Sequence, residues 1–360
     1  MEVNITIREG GLARPLPGED HISALVVPSA VPLDTVRVTS LLQAKADSDL
    51  VVNNLSVQGL VSDYFTMNPR GELIICTVDA DFAADVTAAA QRILKETRGD
   101  ARILAWAGSM VPGKITAVQG VLNQMKAEQA PAVALVALDN GEYGTLADLP
   151  DSSTLNAPGV GVCIHELSPT IHGIQGAVMG ALSKGAVNVS PAWVREYNYA
   201  QVVNGRSLKY TVADQPGVDN PTSNMAGYLY LRTYPGRAGY YLNDSRTATE
   251  ATADLSTLEA NTTLDKAVRG IYANIIPELG GPVPVNTDGT LRVDKRVYLE
   301  TVASRALLDM QIDDEISAFE LTIDEKVNVV QTSRMDIDFS IVPVGTLRTI
   351  NASIGFVLSL

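Results

Sequence analysis

The clearest hydrophobic periodicity lies at the two ends of the chain. In ASIGFVLSL, residues 352–360, Ala352, Ile354, Phe356, Leu358 and Leu360 fall at alternate positions. At the other end Met1, Val3, Ile5 and Ile7 alternate with Glu2, Asn4, Thr6 and Arg8. Period two with one apolar face predicts a half-buried β-strand at each terminus. The segment EGGLARPLPGED, residues 9–20, follows the first of them. Its glycines and prolines predict an extended linker, so the N-terminal strand is expected as an arm set apart from the body.

Between the arms the pattern changes three times. ISALVVPSA (22–30) predicts a buried strand, and from residue 72 strands and helices alternate. ELIICTVD (72–79), ARILAWAG (101–108), PAVALVAL (131–138) and GVGVCIHE (159–166) are continuous apolar runs of strand length. Helices are predicted over 81–99, 114–129 and 171–186, the last with Gly173, Gly176 and Gly180 along it for close packing on a sheet. Apolar strands between amphipathic helices imply a mostly parallel sheet covered on both faces. Residues 196–248 hold Tyr197, Tyr199, Tyr210, Tyr228, Tyr230, Tyr234, Tyr240 and Tyr241 among frequent Gly, Pro and Asn, which predicts loops and short strands.

The last third predicts a helix over 254–276, with Leu258, Leu264, Ala267, Val268, Ile271 and Ile275 inward, and a break over 277–291. A second helix over 295–310 turns Leu299, Val302, Ala303, Ala306, Leu307 and Met310 inward. Residues 316–345 predict two strands joined by a turn near Asp324–Asn328. The expected class is α/β plus α+β: a mostly parallel sheet flanked by helices, then a C-terminal helix–helix–hairpin domain, with strand-like arms at both termini. The expected divisions are 1–20 (arm and linker), 21–195 (α/β domain), 196–250 (Tyr/Gly-rich loops), 251–345 (C-terminal domain) and 346–360 (arm).

Composition narrows the function classes. The chain has 360 residues, 46% hydrophobic and 19% charged, with a net charge of −14, which is globular and acidic. That balance disfavours a nucleic-acid partner, whose phosphates require basic patches. No apolar run reaches bilayer length, so membrane insertion is not expected. No basic region followed by an apolar stretch opens the sequence, so synthesis in a cytoplasm is expected. Cys76 and Cys163 sit in apolar runs and predict buried free thiols.

Candidate chemistry is sparse. The first strand-to-helix junction, TVDADFAAD, lacks Gly-x-Gly-x-x-Gly, and neither a Gly-x-x-x-x-Gly-Lys-Ser/Thr loop nor a Gly-x-Ser-x-Gly elbow occurs. His165 and His172, with Cys163 and Glu166, match no common zinc spacing. Asp313, Asp314 and Glu315 predict a solvated turn rather than an acid–base pair. No catalytic, metal or cofactor site is expected, which moves weight toward a structural protein.

The arms carry that argument further. Burying a large apolar side chain contributes about 1.5–3 kcal/mol, and ordering each backbone residue costs about 1–2 kcal/mol. An arm with four or five such groups about breaks even on its own body. Added to a sheet edge of a neighbouring copy, it also satisfies its backbone donors and acceptors. Subunits that both give and accept strands make heterologous contacts, which extend into filaments. The alternative is that both termini pair within their own subunit.

From residue 230 onward the chain resembles the C-terminal region of contractile tail sheath proteins of phages and related contractile injection systems. The resemblance rests on YLRTYPGRAGYYLNDSRTAT (230–249), TTLDKAVRGIYANIIPEL (262–279), GGPVPVNTDGTL (280–291), ISAFELTID (316–324) and IVPVGTLRTINASIGF (341–356). It implies a homo-oligomer of stacked hexameric rings around an inner tube protein, capped by baseplate and tail terminator proteins. The arms, with Val3, Ile5, Ile7, Ile350, Ala352, Ile354, Phe356 and Leu358, would add strands to a hairpin of a neighbour. That acceptor would carry Phe319, Leu321, Ile323, Val329, Ile337 and Phe339, and Lys295, Arg296 and Asp313 are tube-facing candidates. Contraction would drive the tube through a target envelope without nucleotide. A short chain implies no large outer decoration domain. Two other readings stay open: another self-assembling shell or filament protein, and an α/β enzyme with a ligand at the carboxyl ends of the 72–166 strands.

Overall fold

Ala24, Leu25, Val26 and Val27 are all buried, although they alternate in direction along one strand. Ala24 and Val26 enter one hydrophobic cluster, Leu25 and Val27 another on the opposite face. A strand covered on both sides has no use for a polar face, and it lies in the interior of the sheet. The computed structural model describes residues 21–30, 35–139, 149–164, 173–204, 206 and 227–348. The arm residues Val3, Ile5, Ile7, Ile350, Ala352, Ile354, Phe356 and Leu358 lie outside the described residues, as do His165, Glu166, His172 and Tyr210.

The seven strands of the main sheet are β1 (Ser23–Ser29), β2 (Val36–Val38), β3 (Leu73–Asp79), β4 (Ile103–Met110), β5 (Val133–Leu138), β6 (Val160–Ile164) and β7 (Tyr228–Leu229). Their order is β2-β3-β1-β4-β5-β6-β7, parallel except for β2. The helices are α1 (Leu41–Asp47), α2 (Asp49–Asn53), α3 (Leu55–Met67), α4 (Val86–Thr97), α5 (Pro112–Ala127), α6 (Gln175–Lys184) and α7 (Ala200–Val203). One face is covered by α4 and α5 through Ile93, Ile115, Val118 and Met125. The other is covered by α3 and α6 through Leu60, Tyr64, Val178 and Met179.

The glycines of α6 serve a different contact from the one expected. A Cβ on Gly180 would lie 2.6 Å from Tyr64 O, and one on Gly176 would lie 3.0 Å from Leu60 Cα. Both are backbone atoms of α3. The close approach is therefore helix to helix, with only Gly173 set against a strand, at Ala137. Helices α1–α3 were not expected at all. α1 and α3 open on side-chain caps, Ser40 accepting from Gln43 N–H and Asn54 from Ser56 and Val57 N–H.

After β7 the chain forms a small hairpin, β8 (Leu231–Tyr234) with β9 (Arg237–Leu242). Next come α8 (Leu258–Ile275), α9 (Val293–Ile312), β10 (Ile316–Ile323), the single turn α10 (Val329–Thr332) and β11 (Ile337–Pro343). The face of α8 departs from the expected one. Leu258, Ala267 and Ile271 are buried, Leu264, Val268 and Ile275 only half so, while Glu259, Asn261, Thr262, Thr263 and Asp265 are buried. The first half of α8 lies against the α/β body, and its polar groups are bonded partly there, at Val187 O and Pro158 O, and partly to nearby backbone. Thr262 Oγ1 donates to Val187 O (2.6 Å) and Thr263 Oγ1 to Glu259 O (2.7 Å). Asn261 Nδ2 reaches Pro158 O, Leu255 O and Thr257 O at 2.8–2.9 Å.

Candidate assembly site

α8 and α9 cross at small residues: a Cβ on Gly270 would meet Ala306 Cβ at 2.6 Å. Their facing surfaces, Ala267, Ile271, Ala303, Leu307 and Met310, form a cluster with Ile316 of β10. Over this helical pair lies the β10–β11 hairpin, with Phe319 opposite Ile341, Leu321 opposite Phe339 and Ile323 opposite Ile337. Its apolar residues alternate with exposed Glu320, Thr322, Asp338 and Ser340. Phe319, Leu321 and Phe339 pack on the first cluster, and Ile323, Ile337 and Val329 on a second with Leu291 and Leu299.

Five of the six expected hairpin residues thus sit on its strands. Val329 does not: it opens α10 in a connection longer than the turn expected near Asp324–Asn328. Asn328 builds that connection. Its Oδ1 accepts from Gln331 N–H, its Nδ2 donates to Asp288 O at 2.7 Å, and Val329 N–H donates to Gly289 O. Gly289, at φ +82°, has no room for a side chain beside Asn328. The hairpin tip is tied to the Pro/Gly-rich turn that precedes α9.

Among the described residues β10 and β11 pair only with each other. A two-stranded sheet is marginal alone, and among the described residues no strand pairs with the outer edge of either, although Ile323 N–H donates to Glu300 Oε1 and Ser317 O accepts from Gln311 Nε2 on β10; the inner face is only half covered. Such an edge can accept a further strand on either side.

The tube-facing candidates are less available than the sequence suggests. Lys295 Nζ is 2.8 Å from Glu278 Oε2 and 4.3 Å from the Tyr298 ring centre, and Arg296 is paired with Glu325. Asp313, at the C-terminus of α9, is exposed. The sequence reading missed a second apolar stripe on α9. Val293, Val297, Leu308 and Ile312 are exposed, Ile312 by 77%, on a different side from buried Leu299, Ala303, Leu307 and Met310. The signal was present, since a 20-residue helix with apolar residues on two sides has no single inward face.

The carboxyl ends of the parallel strands were where an enzyme would bind its ligand. A cavity of about 440 Å³ lies there beside β1 and β3, lined by Asp79, Asp81, Asp85 and Arg92. Three of these side chains, those of Asp79, Asp85 and Arg92, are engaged in local structure. Asp79 accepts from Asp81 N–H, Asp85 caps α4, and Arg92 donates to Thr77 O. Among the described residues there is no His/Cys/Asp/Glu group able to hold a metal ion. Cys76 and Cys163 are both buried and are not joined in a disulfide, and burial pushes the Cys76 thiol up to about 12, away from the reactive thiolate. No described helix is long and apolar enough to cross a membrane.

A chain of the anti-feeding prophage (AFP) baseplate superposes with a TM-score of 0.68 at 17% identity, covering 99% of this chain and 100% of that one. The AFP helical sheath in its contracted state gives 0.67 at 15%, covering 98% of each chain. The fold is that of a contractile sheath subunit. The sheath complex of an extracellular contractile injection system, PVC, in its contracted state gives 0.67 at 13%, covering 99% of this chain and 98% of that one. The family model described as DUF2586, C-terminal domain, matches residues 254–360, which begin just before α8 and contain the whole helix–helix–hairpin unit of the sheath fold. No curated protein matches the sequence.

Proposed function

We propose that this chain is a structural subunit of a contractile sheath. The observation that carries the reading is the length of the fold match: 98–99% of this chain superposes on sheath chains that are themselves covered to 98%. A resemblance confined to the α/β sheet would suit many functions, because sheets of this kind host many chemistries. One that also takes in α8, α9 and the hairpin favours assembly. The open hairpin edges support strand exchange, with residues 1–8 and 349–360 of neighbouring copies as the added strands.

In this reading subunits form stacked hexameric rings around an inner tube protein and meet baseplate and terminator proteins at the ends. They are made in the cytoplasm of the producing cell and then belong to the particle. Contraction takes its energy from a metastable assembly relaxing to a more stable one. Lys295 and Arg296 could meet a tube only by opening their pairs with Glu278 and Glu325, so contacts there are exchangeable, as a sliding tube requires. The stripe of Val293, Val297, Leu308 and Ile312 offers a second face for a neighbour.

The test is electron microscopy of the purified full chain beside one ending at Arg348. Hollow striated tubes from the full chain, and discrete particles from the shortened one, are the expected result. Discrete monomers or dimers from both would overturn strand exchange and return weight to an enzyme.

A further inference from the structure

The chain leaves β11 at Pro343 and runs through Val344, Gly345, Thr346 and Leu347, all exposed, to Arg348. Arg348 then reaches back to the root of the C-terminal unit. Its Nε donates to Asp244 Oδ1 at 3.0 Å, and its Nη2 to Glu259 Oε1 at 2.5 Å and Ser245 Oγ at 3.4 Å. Asp244 is shared with Arg246, whose Nε is 3.1 Å from Oδ2. The root is itself firmly built: Leu258 N–H donates to Ser245 O, and Thr247 N–H to Ser256 O. Two carboxylates thus meet two guanidinium groups, and one partner of Arg348, Glu259, is buried in the first turn of α8. A buried carboxylate that loses its cation is strongly unfavourable. This is more than a surface ion pair should do for a residue at the edge of a linker.

We infer that Arg348 is the positioning residue of the C-terminal segment: clamped between Asp244 and Glu259 it fixes where residues 349–360 leave the body, and Val344–Leu347 form the strap between hairpin and clamp. The inference rests on the reading that 349–360 pairs with another copy. A strand aimed from a fixed point reaches a neighbour's hairpin edge with less ordering left to do, which favours association. The same clamp couples that strand to α8, since pulling Arg348 away strips Glu259 of its cation.

The experiment measures distances between spin labels at Thr346→Cys and Ala251→Cys in the dilute, unassembled full chain; both native cysteines are buried. The expected result is a narrow distribution that becomes broad in Arg348→Gln and is partly restored by Arg348→Lys, which can engage one carboxylate at a time. The Arg348→Gln/Glu259→Gln chain removes the unpaired buried charge, so it folds if the single variant does not, and it should also be broad. An unchanged distribution in either Gln variant overturns the clamp. This readout does not depend on assembly. Absence of tubes from the full chain would refute the sheath reading and leave the clamp standing, while a failed clamp leaves tube formation to be judged separately.

Discussion

Replacing Gly180 by Ala tests the helix-to-helix contact directly. The added methyl would sit 2.6 Å from Tyr64 O and 3.0 Å from Met67 Cβ. An ordinary C···O contact is about 3.3 Å, so α3 and α6 must part locally by roughly 0.7 Å. The carbonyl cannot swing aside, because it already accepts from Asn68 N–H at 2.8 Å. Overpacking against rigid backbone costs about 1–3 kcal/mol, and the helix gains about 1 kcal/mol from losing a glycine. With backbone as the obstacle, a net loss of about 2 kcal/mol is expected. Gly120→Ala on α5 is the control. There the methyl would meet only Val86 side-chain carbons at 3.5 Å, an ordinary contact, so a gain of about 0.5–1 kcal/mol is expected. Urea unfolding followed by circular dichroism reads both. Adding Gly176→Ala to Gly180→Ala should cost less than the sum of the two, since helices already parted by one methyl accommodate the next. If Gly180→Ala is as stable as the parent, or moves in the same direction as Gly120→Ala, the reasoning fails.

Two further outcomes follow from α8. Burial pushes the Asp265 carboxyl up to about 6, partly offset by Arg269, Lys126 and Arg102. The folded chain therefore holds this proton at pH values where the unfolded chain has lost it. Its contribution is full below about pH 4 and is lost as the pH rises to about 6, on the order of 2–3 kcal/mol for a two-unit shift. Melting temperature against pH should show Asp265→Asn gaining on the parent across that window, and parallel curves would refute it. Asn261 shares two amide hydrogens among three carbonyls, so Asn261→Ala should lose about 2–3 kcal/mol. Asn261→Asp should lose more, because it turns a carboxylate oxygen toward the same carbonyls. Calorimetry that ranks the Asp variant as the more stable would contradict the bonding described.

The parallel sheet was legible because its strands are continuous apolar runs, and Ile74, Leu104 or Val136 could hardly be elsewhere than inside. The sheath resemblance was legible in stretches around turns, such as GGPVPVNTDGTL, where Gly and Pro restrict the backbone. Helices α1 and α2 were not, because at 7 and 5 residues they are too short for a period to show, and α3 was not, because it buries consecutive residues such as Gly59, Leu60 and Val61 rather than a single stripe. Strand β7 has two residues, and Tyr228 and Leu229 carry no alternation by themselves. The polar face of α8 was hidden for another reason. Threonine, asparagine and aspartate read as solvent-facing until their tertiary partners, such as Val187 O and Pro158 O, are known. Arg348 could not be singled out at all, because its partners lie 104 and 89 residues away.

The place of β1 between β3 and β4 bears on how the chain is made. The strand leaves the ribosome before both of its neighbours, β3 and β4, which end only at Asp79 and Met110. At about 5–20 residues per second, a nascent chain waits roughly 4–16 s between finishing β1 and finishing β4. Until Asp79 is made Ala24-Leu25-Val26-Val27 is a sticky strand with neither neighbour complete, and from there to Met110 it has only β3 beside it. Slow, non-local pairing of this kind invites aggregation. Fragments that end before residue 110 should therefore need a chaperone or precipitate, whatever the finished subunit goes on to build.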